Sequence, residues 1–133
     1  MRMPQMKDKI IYPELSYIIC GLCFSIHNNL GRFRSEKSYA DALEELFKRE
    51  KLNYKREFAF FPSFEGEANR RNIPDFLIDD KIVLDVKAKR LVTKEDYYQM
   101  KRYLISGDKK LGLIVNFRQK YLSPKRILNS EHE

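Results

Sequence analysis

Apolar residues recur at two different spacings along this chain, and the change of spacing separates a helical part from an extended part. From residue 13 to about residue 29 they return every three or four positions, which predicts a helix with one buried face that begins at Pro13 and stops at Gly31. A second helix is predicted from residue 35 to residue 51, with Ser35 as its N-cap. Its apolar stripe consists of Tyr39, Ala40, Leu43 and Phe47.

The middle of the chain has the spacing and composition of short strands. The aromatic-rich run 54–61 and the apolar runs 74–78 and 82–88 each predict a strand, with a polar loop over residues 62–72. The three residues 79–81 predict a tight turn, so the second and third strands should form an antiparallel hairpin.

The last third alternates again between the two spacings. Thr93 predicts the N-cap of a third helix over residues 94–106, with Asp96 in the capping-box position and Gly107 as its stop. Residues 111–117 predict a central strand, and residues 122–128 an edge strand because they contain Pro124.

The predicted element order, α-α-β-β-β-α-β-β, indicates an α/β protein. Its length of 133 residues is typical of one compact domain. We therefore expect a single domain over residues 1–133, with flexible ends at 1–12 and 129–133.

Charge is distributed unevenly. The net charge is +7, and residues 87–133, with 12 basic and 5 acidic side chains, carry all of it. Such an excess favours a polyanionic partner, although a solvated basic face is the plain alternative. The sequence contains no apolar run long enough to span a bilayer, which predicts a cytoplasmic protein without a membrane partner.

Cys20 and Cys23 have C-x-x-C spacing, which can indicate a zinc or redox site. No second ligand pair exists, and their neighbours are apolar. We interpret both as small residues of the first helix.

Three charged residues interrupt the predicted hairpin. Strand alternation places Asp85 and Lys87 on one face, and the three-residue turn places Asp75 opposite Asp85. Two carboxylates about 5 Å apart repel each other unless a cation lies between them, and magnesium or manganese suits such oxygen ligands. An exposed ion pair between Asp75 and Lys87 remains the alternative.

Two further positions have polar side chains on helix faces that could serve this site. Glu36 is predicted to point along the buried face of the second helix, or to complement the positive end of its dipole. Gln99 shares a face of the third helix with Tyr103, four residues on, and both can form neutral hydrogen bonds.

Pro74-Asp75 followed by Asp85-Val86-Lys87 resembles the signature of the PD-(D/E)XK nuclease superfamily. The surrounding sequence resembles its GxxExxY group. The matching segments are 26–31, 36–39, 99–104 and 111–117. Two departures stand out: Phe33 replaces the glycine three residues before the glutamate, and Asp85 stands where glutamate is frequent.

The resemblance implies a restriction-endonuclease-like core, a mixed β-sheet flanked by α-helices. It also implies that Asp75 and Asp85, with Glu36, hold Mg²⁺ or Mn²⁺. Lys87 would position or polarise the attacking water, with Gln99 assisting. The implied activity is metal-dependent hydrolysis of phosphodiester bonds in nucleic acid, and a non-catalytic nucleic-acid-binding or accessory module is the alternative.

The expected partner is nucleic acid, with DNA favoured over RNA. The candidate backbone contacts are Arg70, Arg71, Lys89 and Arg90. A homodimer and an accessory role beside another protein both stay open.

Overall fold

The computed structural model describes residues 11–62, 64–67 and 72–130. Its elements follow the predicted order. They are α1 (Pro13–Leu30), α2 (Glu36–Arg49), β1 (Tyr54–Arg56), β2 (Phe76–Ile78), β3 (Ile82–Lys87), α3 (Lys94–Gly107), β4 (Leu111–Asn116) and β5 (Lys125–Leu128).

The five strands form one sheet in the order β1-β2-β3-β4-β5. Every neighbouring pair is antiparallel except β3 and β4, which are parallel and joined through α3. One core cluster joins α1 and α2 to one face of the sheet, and a second joins α3 to the other face. This mixed sheet between helices confirms the predicted α/β, restriction-endonuclease-like fold.

The hairpin has the predicted register. Ile78 pairs with Ile82 and Phe76 with Leu84, so the next step along the two strands places Asp75 opposite Asp85. Asp79 and Asp80 both adopt positive φ angles, 54° and 55°, in the connecting turn. Aspartate tolerates this left-handed conformation better than most residues, which explains why two of them make so tight a connection.

The predicted helix starts are confirmed. The Ser35 side chain accepts a hydrogen bond from the Ser38 backbone N–H, and Thr93 and Asp96 form a reciprocal capping box. The predicted stop at Gly107 is wrong by one residue, because Asp108 takes the left-handed cap position with φ 52°. Gly107 is instead the last helical residue, and a Cβ atom there would lie 2.7 Å from the ring of Phe60.

The first strand is much shorter than the 54–61 that its composition predicts. Glu57 has a φ of 54°, which turns the chain out of the sheet directly after Arg56. Beyond this bend the described residues show isolated backbone hydrogen bonds, such as the bond from Phe60 N–H to Asn72 O at 2.8 Å. The last strand is confirmed as an edge but begins at Lys125, one residue after Pro124.

Both cysteines are free and lie within α1, as predicted. Cys23 is fully buried, and burial raises its thiol pKa far above the usual range, which disfavours the thiolate that a zinc site needs. Cys20 shows the same direction of pKa shift, also from burial. None of the described helices is long and apolar enough to cross a membrane.

The predicted flexible ends, 1–12 and 129–133, lie mostly outside the described residues. Of those described, Ile11 and Tyr12 pack against the core. The Asn129 amide donates to the backbone oxygens of Leu104 and Lys109.

Candidate active site

Two aspartates face each other at the point where the β2–β3 ladder ends. Asp85 lies inside β3 and is only 4% exposed, while Asp75 precedes β2 and is half-buried. Asp75 Oδ2 accepts a 2.6 Å hydrogen bond from the Val86 N–H, so a side chain replaces the main-chain acceptor at this step of the ladder. This bond holds the Asp75 carboxyl against β3, beside Asp85.

Lys87 completes the group from the same face of β3. Its Nζ atom lies 2.8 Å from Asp85 Oδ2 and donates to Gln99 Oε1 at 3.1 Å. The exposed Asp75–Lys87 ion pair considered from the sequence is therefore wrong, since Lys87 pairs with the buried Asp85. Burial alone would lower the pKa of Lys87, but the negative charges of Asp85, Asp96 and Glu36 outweigh it and raise that pKa. Lys87 is thus a firmly charged ammonium ion.

The electrostatics of the aspartate pair favour a proton on Asp75. Burial first, and then repulsion by Asp85 together with a hydrogen bond between the two carboxyls, raise the pKa of Asp75 to about 8. The Val86 N–H and the charge of Lys87 act in the opposite direction but do not cancel the effect. The one positive charge of Lys87 is therefore not enough to keep both carboxyls ionised, and a cation placed between them would supply the further positive charge.

Asp96 joins this charge network, a role that the sequence did not reveal. Its carboxylate lies 2.7 Å from Lys89 Nζ and 3.7 Å from Lys87 Nζ while still accepting the Thr93 N–H. Burial opposes its charge, but the bonds from Lys89 and Thr93 and the charge of Lys87 lower its pKa overall. The sequence showed Asp96 only as a capping residue, and pairing to lysines on β3 depends on how α3 packs across the sheet.

Asn116, at the end of β4, is a second residue whose role was missed. Its amide donates to Lys89 O at 2.7 Å and accepts from Lys89 N–H at 3.1 Å and from Arg118 N–H at 3.2 Å. The parallel register pairs it with Lys87. This buried amide therefore fixes the backbone directly after the lysine, and only the parallel pairing of β3 with β4 brings the two together.

Glu36 belongs to α2, which packs on the sheet face opposite to Asp85 and Lys87. It is exposed at the first position of α2, so the prediction that it points along the buried face is wrong, because the buried stripe of this helix begins only at Tyr39. Its place in the first turn agrees with the alternative, a position at the positive end of the helix dipole. An open cleft of about 260 Å³ nevertheless has both Glu36 and Asp75 in its wall, together with Arg56 and Glu57. Among the described residues, no three His, Cys, Asp or Glu side chains lie close enough together to hold a metal ion.

Tyr103 and the predicted nucleic-acid contacts are the remaining residues that the sequence singled out. Tyr103 is 4% exposed, and burial together with the negative charges of Asp85 and Asp75 raises its pKa above the usual range, so its neutral hydroxyl lies near the pair. Arg90 is exposed, whereas Lys89 is half-buried and bound to Asp96. Arg70 and Arg71 lie outside the described residues.

The donor set of the site fits a hard divalent cation. Asp85 Oδ2 is a buried oxygen that receives no backbone hydrogen bond in the described part of the chain and is paired with the Lys87 ammonium at 2.8 Å. Carboxylate oxygens of this kind are the ligands preferred by Mg²⁺ and Mn²⁺. Asp75 and Asp85 would hold such an ion.

Asp85 and Lys87 on β3, with Asp75 opposite them before β2, lie on a restriction-endonuclease-like sheet, an arrangement typical of a nuclease-like protein. The family model of the PD-(D/E)XK nuclease superfamily matches residues 13–127, and the chain belongs to that superfamily. No curated protein and no solved structure showed significant similarity to it. Nucleases of this superfamily generally use divalent metal ions and act on nucleic acid.

The proton on Asp75 predicts an unusual pH dependence of stability in the metal-free protein. Below about pH 4 the carboxyl is protonated in both the folded and unfolded states, and above about pH 8 it is ionised in both. Between these values only the unfolded chain has lost the proton, so rising pH favours unfolding. The free energy of unfolding should fall by at least about 1 kcal/mol across this window.

Asp75→Asn removes the titrating group and should abolish this fall. Urea denaturation of the metal-free protein near both ends of the window measures the effect as the difference between wild type and variant. Asp80→Asn, in the exposed turn of the same hairpin, is the matched control and should retain the wild-type slope. Equal slopes for the wild type and Asp75→Asn would contradict the assignment of the proton.

Proposed function

We propose that this protein is a metal-dependent phosphodiesterase that hydrolyses nucleic acid at the site formed by Asp75, Asp85 and Lys87. The observation that carries the proposal is the close approach of two carboxylates, the buried Asp85 and the half-buried Asp75, beside a single charged lysine. Burying charged groups is costly even when they are paired, and a fold that only needed stability would be served as well or better by apolar residues at these positions.

The bound metal would acidify a water molecule and neutralise charge on the phosphate, which supplies a nucleophile at neutral pH. Asp75 and Asp85 hold the ion through their carboxylates. The Val86 N–H fixes the orientation of Asp75, so the ion position depends on the strand geometry and not on a flexible side chain. Glu36 assists from the wall of the open cleft that it shares with Asp75.

Lys87 has a position in which it can change partners. In the absence of a metal it neutralises Asp85, and an ion bound at Asp85 would compete with it electrostatically. Gln99 Oε1 already accepts from the same ammonium and can hold it while it orients the attacking water or binds a phosphate oxygen. The firmly protonated state of Lys87 suits charge stabilisation better than general-base catalysis.

The substrate is proposed to be DNA in preference to RNA, with Arg90 and Lys89 beside the site as phosphate contacts, and Arg70 and Arg71 as further contacts. We also propose that the chain falls in the GxxExxY group, on the matches at 26–31, 36–39, 99–104 and 111–117. Magnesium is the proposed ion, with manganese as its substitute. The Lys89–Asp96 pair would have to open for Lys89 to bind phosphate.

A non-catalytic nucleic-acid-binding module is the rival function. It is favoured by one observation, that the described residues bring only two ligating carboxylates together and not three. Such a module would bind nucleic acid in a salt-sensitive manner without needing the aspartates.

The test measures cleavage and metal binding separately. Wild-type protein is incubated with single- and double-stranded DNA and RNA, with and without Mg²⁺ or Mn²⁺, and metal binding is followed by calorimetry. Cleavage that requires the metal and is stopped by a chelator supports the proposed enzyme. Salt-sensitive binding without cleavage under any of these conditions would establish the binding module in its place.

A further inference from the structure

The loop between α1 and α2 carries a phenylalanine whose ring is 75% exposed, Phe33. Hydrogen bonds to the Tyr39 side chain fix the backbone of this loop. The Tyr39 hydroxyl donates to Gly31 O at 2.6 Å and accepts from the Arg34 N–H at 3.1 Å. Tyr39 itself is fully buried and stacks on Phe117 with ring centroids 4.3 Å apart. An ordered backbone thus presents an apolar ring to solvent.

Two guanidinium groups lie against this ring. Arg118 donates from Nε to Arg32 O at 2.6 Å and from Nη2 to Arg34 O at 3.0 Å, which ties it to the loop on both sides of Phe33. The guanidinium carbons of Arg32 and Arg118 lie 5.0 Å and 5.8 Å from the centroid of the Phe33 ring. These contacts orient the ring but leave three quarters of it open.

The loop that carries Phe33 is linked on both sides to residues near the proposed site. Arg118 follows Asn116 by two residues, and Asn116 pairs with Lys87 across the parallel strands. On its other side the loop leads directly into Glu36, the first residue of α2. The exposed ring therefore lies at the end of the sheet where Lys87 is found.

The charge around the ring suits a phosphate backbone. The segments 31–35 and 117–124 together contain four basic residues and no acidic residue. Cations beside an exposed aromatic ring are the combination used by proteins that bind single-stranded nucleic acid, since bases stack on the ring while phosphates contact the cations.

We infer that Phe33, held by Arg32 and Arg118, is a stacking platform for an unpaired base of the nucleic acid that reaches the Asp85 and Lys87 site. This inference rests on the proposed function and narrows its substrate to nucleic acid with unpaired nucleotides on the same side of the protein as the cleaved phosphate. Fully paired duplex cannot stack a base on Phe33 without first flipping it out, which costs free energy.

The absence of tryptophan from the chain allows a direct optical test. Phe33→Trp places a single reporter at the platform, and Tyr17→Trp places one at an exposed position of α1, 81% exposed. Tyr17 shares a shallow pocket with Pro13, Glu14 and Ile18, which also line the pocket of Asp79 and Lys81, the turn at the end of β3 opposite to Lys87. A short single-stranded oligodeoxynucleotide, titrated without divalent metal, should quench the reporter at position 33 and leave the reporter at position 17 unchanged.

Affinity provides the second measurement, by fluorescence anisotropy of the labelled oligonucleotide, also without metal. Phe33→Ala should weaken single-strand binding about 5- to 100-fold and duplex binding much less, whereas Tyr17→Ala should weaken neither. Both residues are exposed, so neither substitution should unfold the protein, and thermal melting verifies this. Equal quenching at both positions, or unchanged affinity in Phe33→Ala, would overturn the inference.

The outcomes separate this inference from the proposed hydrolysis. Phe33-dependent binding without metal-dependent cleavage would support the platform and overturn the enzyme. Cleavage that does not change in Phe33→Ala on single-stranded substrate would support the enzyme and overturn the platform. A wild-type protein that binds no nucleic acid would overturn both.

Discussion

Asp85→Asn is expected to lower metal-dependent cleavage about a thousandfold or more, because it removes one of the two carboxylates that hold the ion. The substitution keeps the shape of a side chain that is 4% exposed, so packing around β3 should be preserved. Calorimetric titration should show that Mg²⁺ binding is lost together with the cleavage activity. Binding of nucleic acid, which depends on phosphate contacts, should remain.

The matched control for Asp85→Asn is Asp80→Asn, the same chemical change in the same hairpin. Asp80 is exposed in the turn and pairs with Lys109 at 3.0 Å, far along the strand from Lys87. Its replacement should leave cleavage and metal binding at wild-type levels. Full activity in Asp85→Asn, or equal losses in both variants, would show that Asp85 does not hold the ion.

Lys87→Met should separate turnover from metal binding. The substitution removes a positive charge 2.8 Å from Asp85 Oδ2, so a cation that competes for this oxygen should bind at least as tightly as in the wild type. Turnover should fall about a hundredfold, the scale of losing one electrostatic stabiliser. Single-turnover cleavage together with calorimetric titration of Mg²⁺ measures the two effects independently.

Lys101→Met is the control for the change of net charge, since Lys101 is an exposed residue of α3. It should alter neither turnover nor metal affinity. If Lys87→Met bound Mg²⁺ much more weakly than the wild type, Lys87 would be supporting the aspartate pair structurally, and the competition between lysine and metal would be refuted.

Local rules were sufficient for the hairpin that carries the aspartates. The spacing of charged residues within β3 and the length of the 79–81 turn together determine that Asp75 lies opposite Asp85, and the register confirms it. The helix caps at Ser35 and Thr93 were equally predictable from the sequence, because each depends on side chains within four residues of one another.

What the sequence could not predict depends on long-range packing. Alternation predicted one polar face on the hairpin, but whether solvent or a helix covers it is decided by α3, and α3 buries Asp85 and brings Asp96 to Lys87. The bend at Glu57 has no signature in a run of β-forming residues, since non-glycine residues rarely adopt a positive φ. The exposure of Glu36 likewise depends on how α2 rests on the sheet, since burial along this helix begins only at Tyr39.

The outer strands of the sheet are short and basic. β1 has three residues and includes Lys55 and Arg56, and β5 has four and includes Lys125 and Arg126. An exposed sheet edge invites another chain to extend it, and short length with positive charge is a means by which proteins resist such aggregation. The strands between them are thereby protected from pairing edge to edge with strands of another molecule. Two copies that associate would therefore be expected to meet through helices or loops and not through a continuous intermolecular sheet.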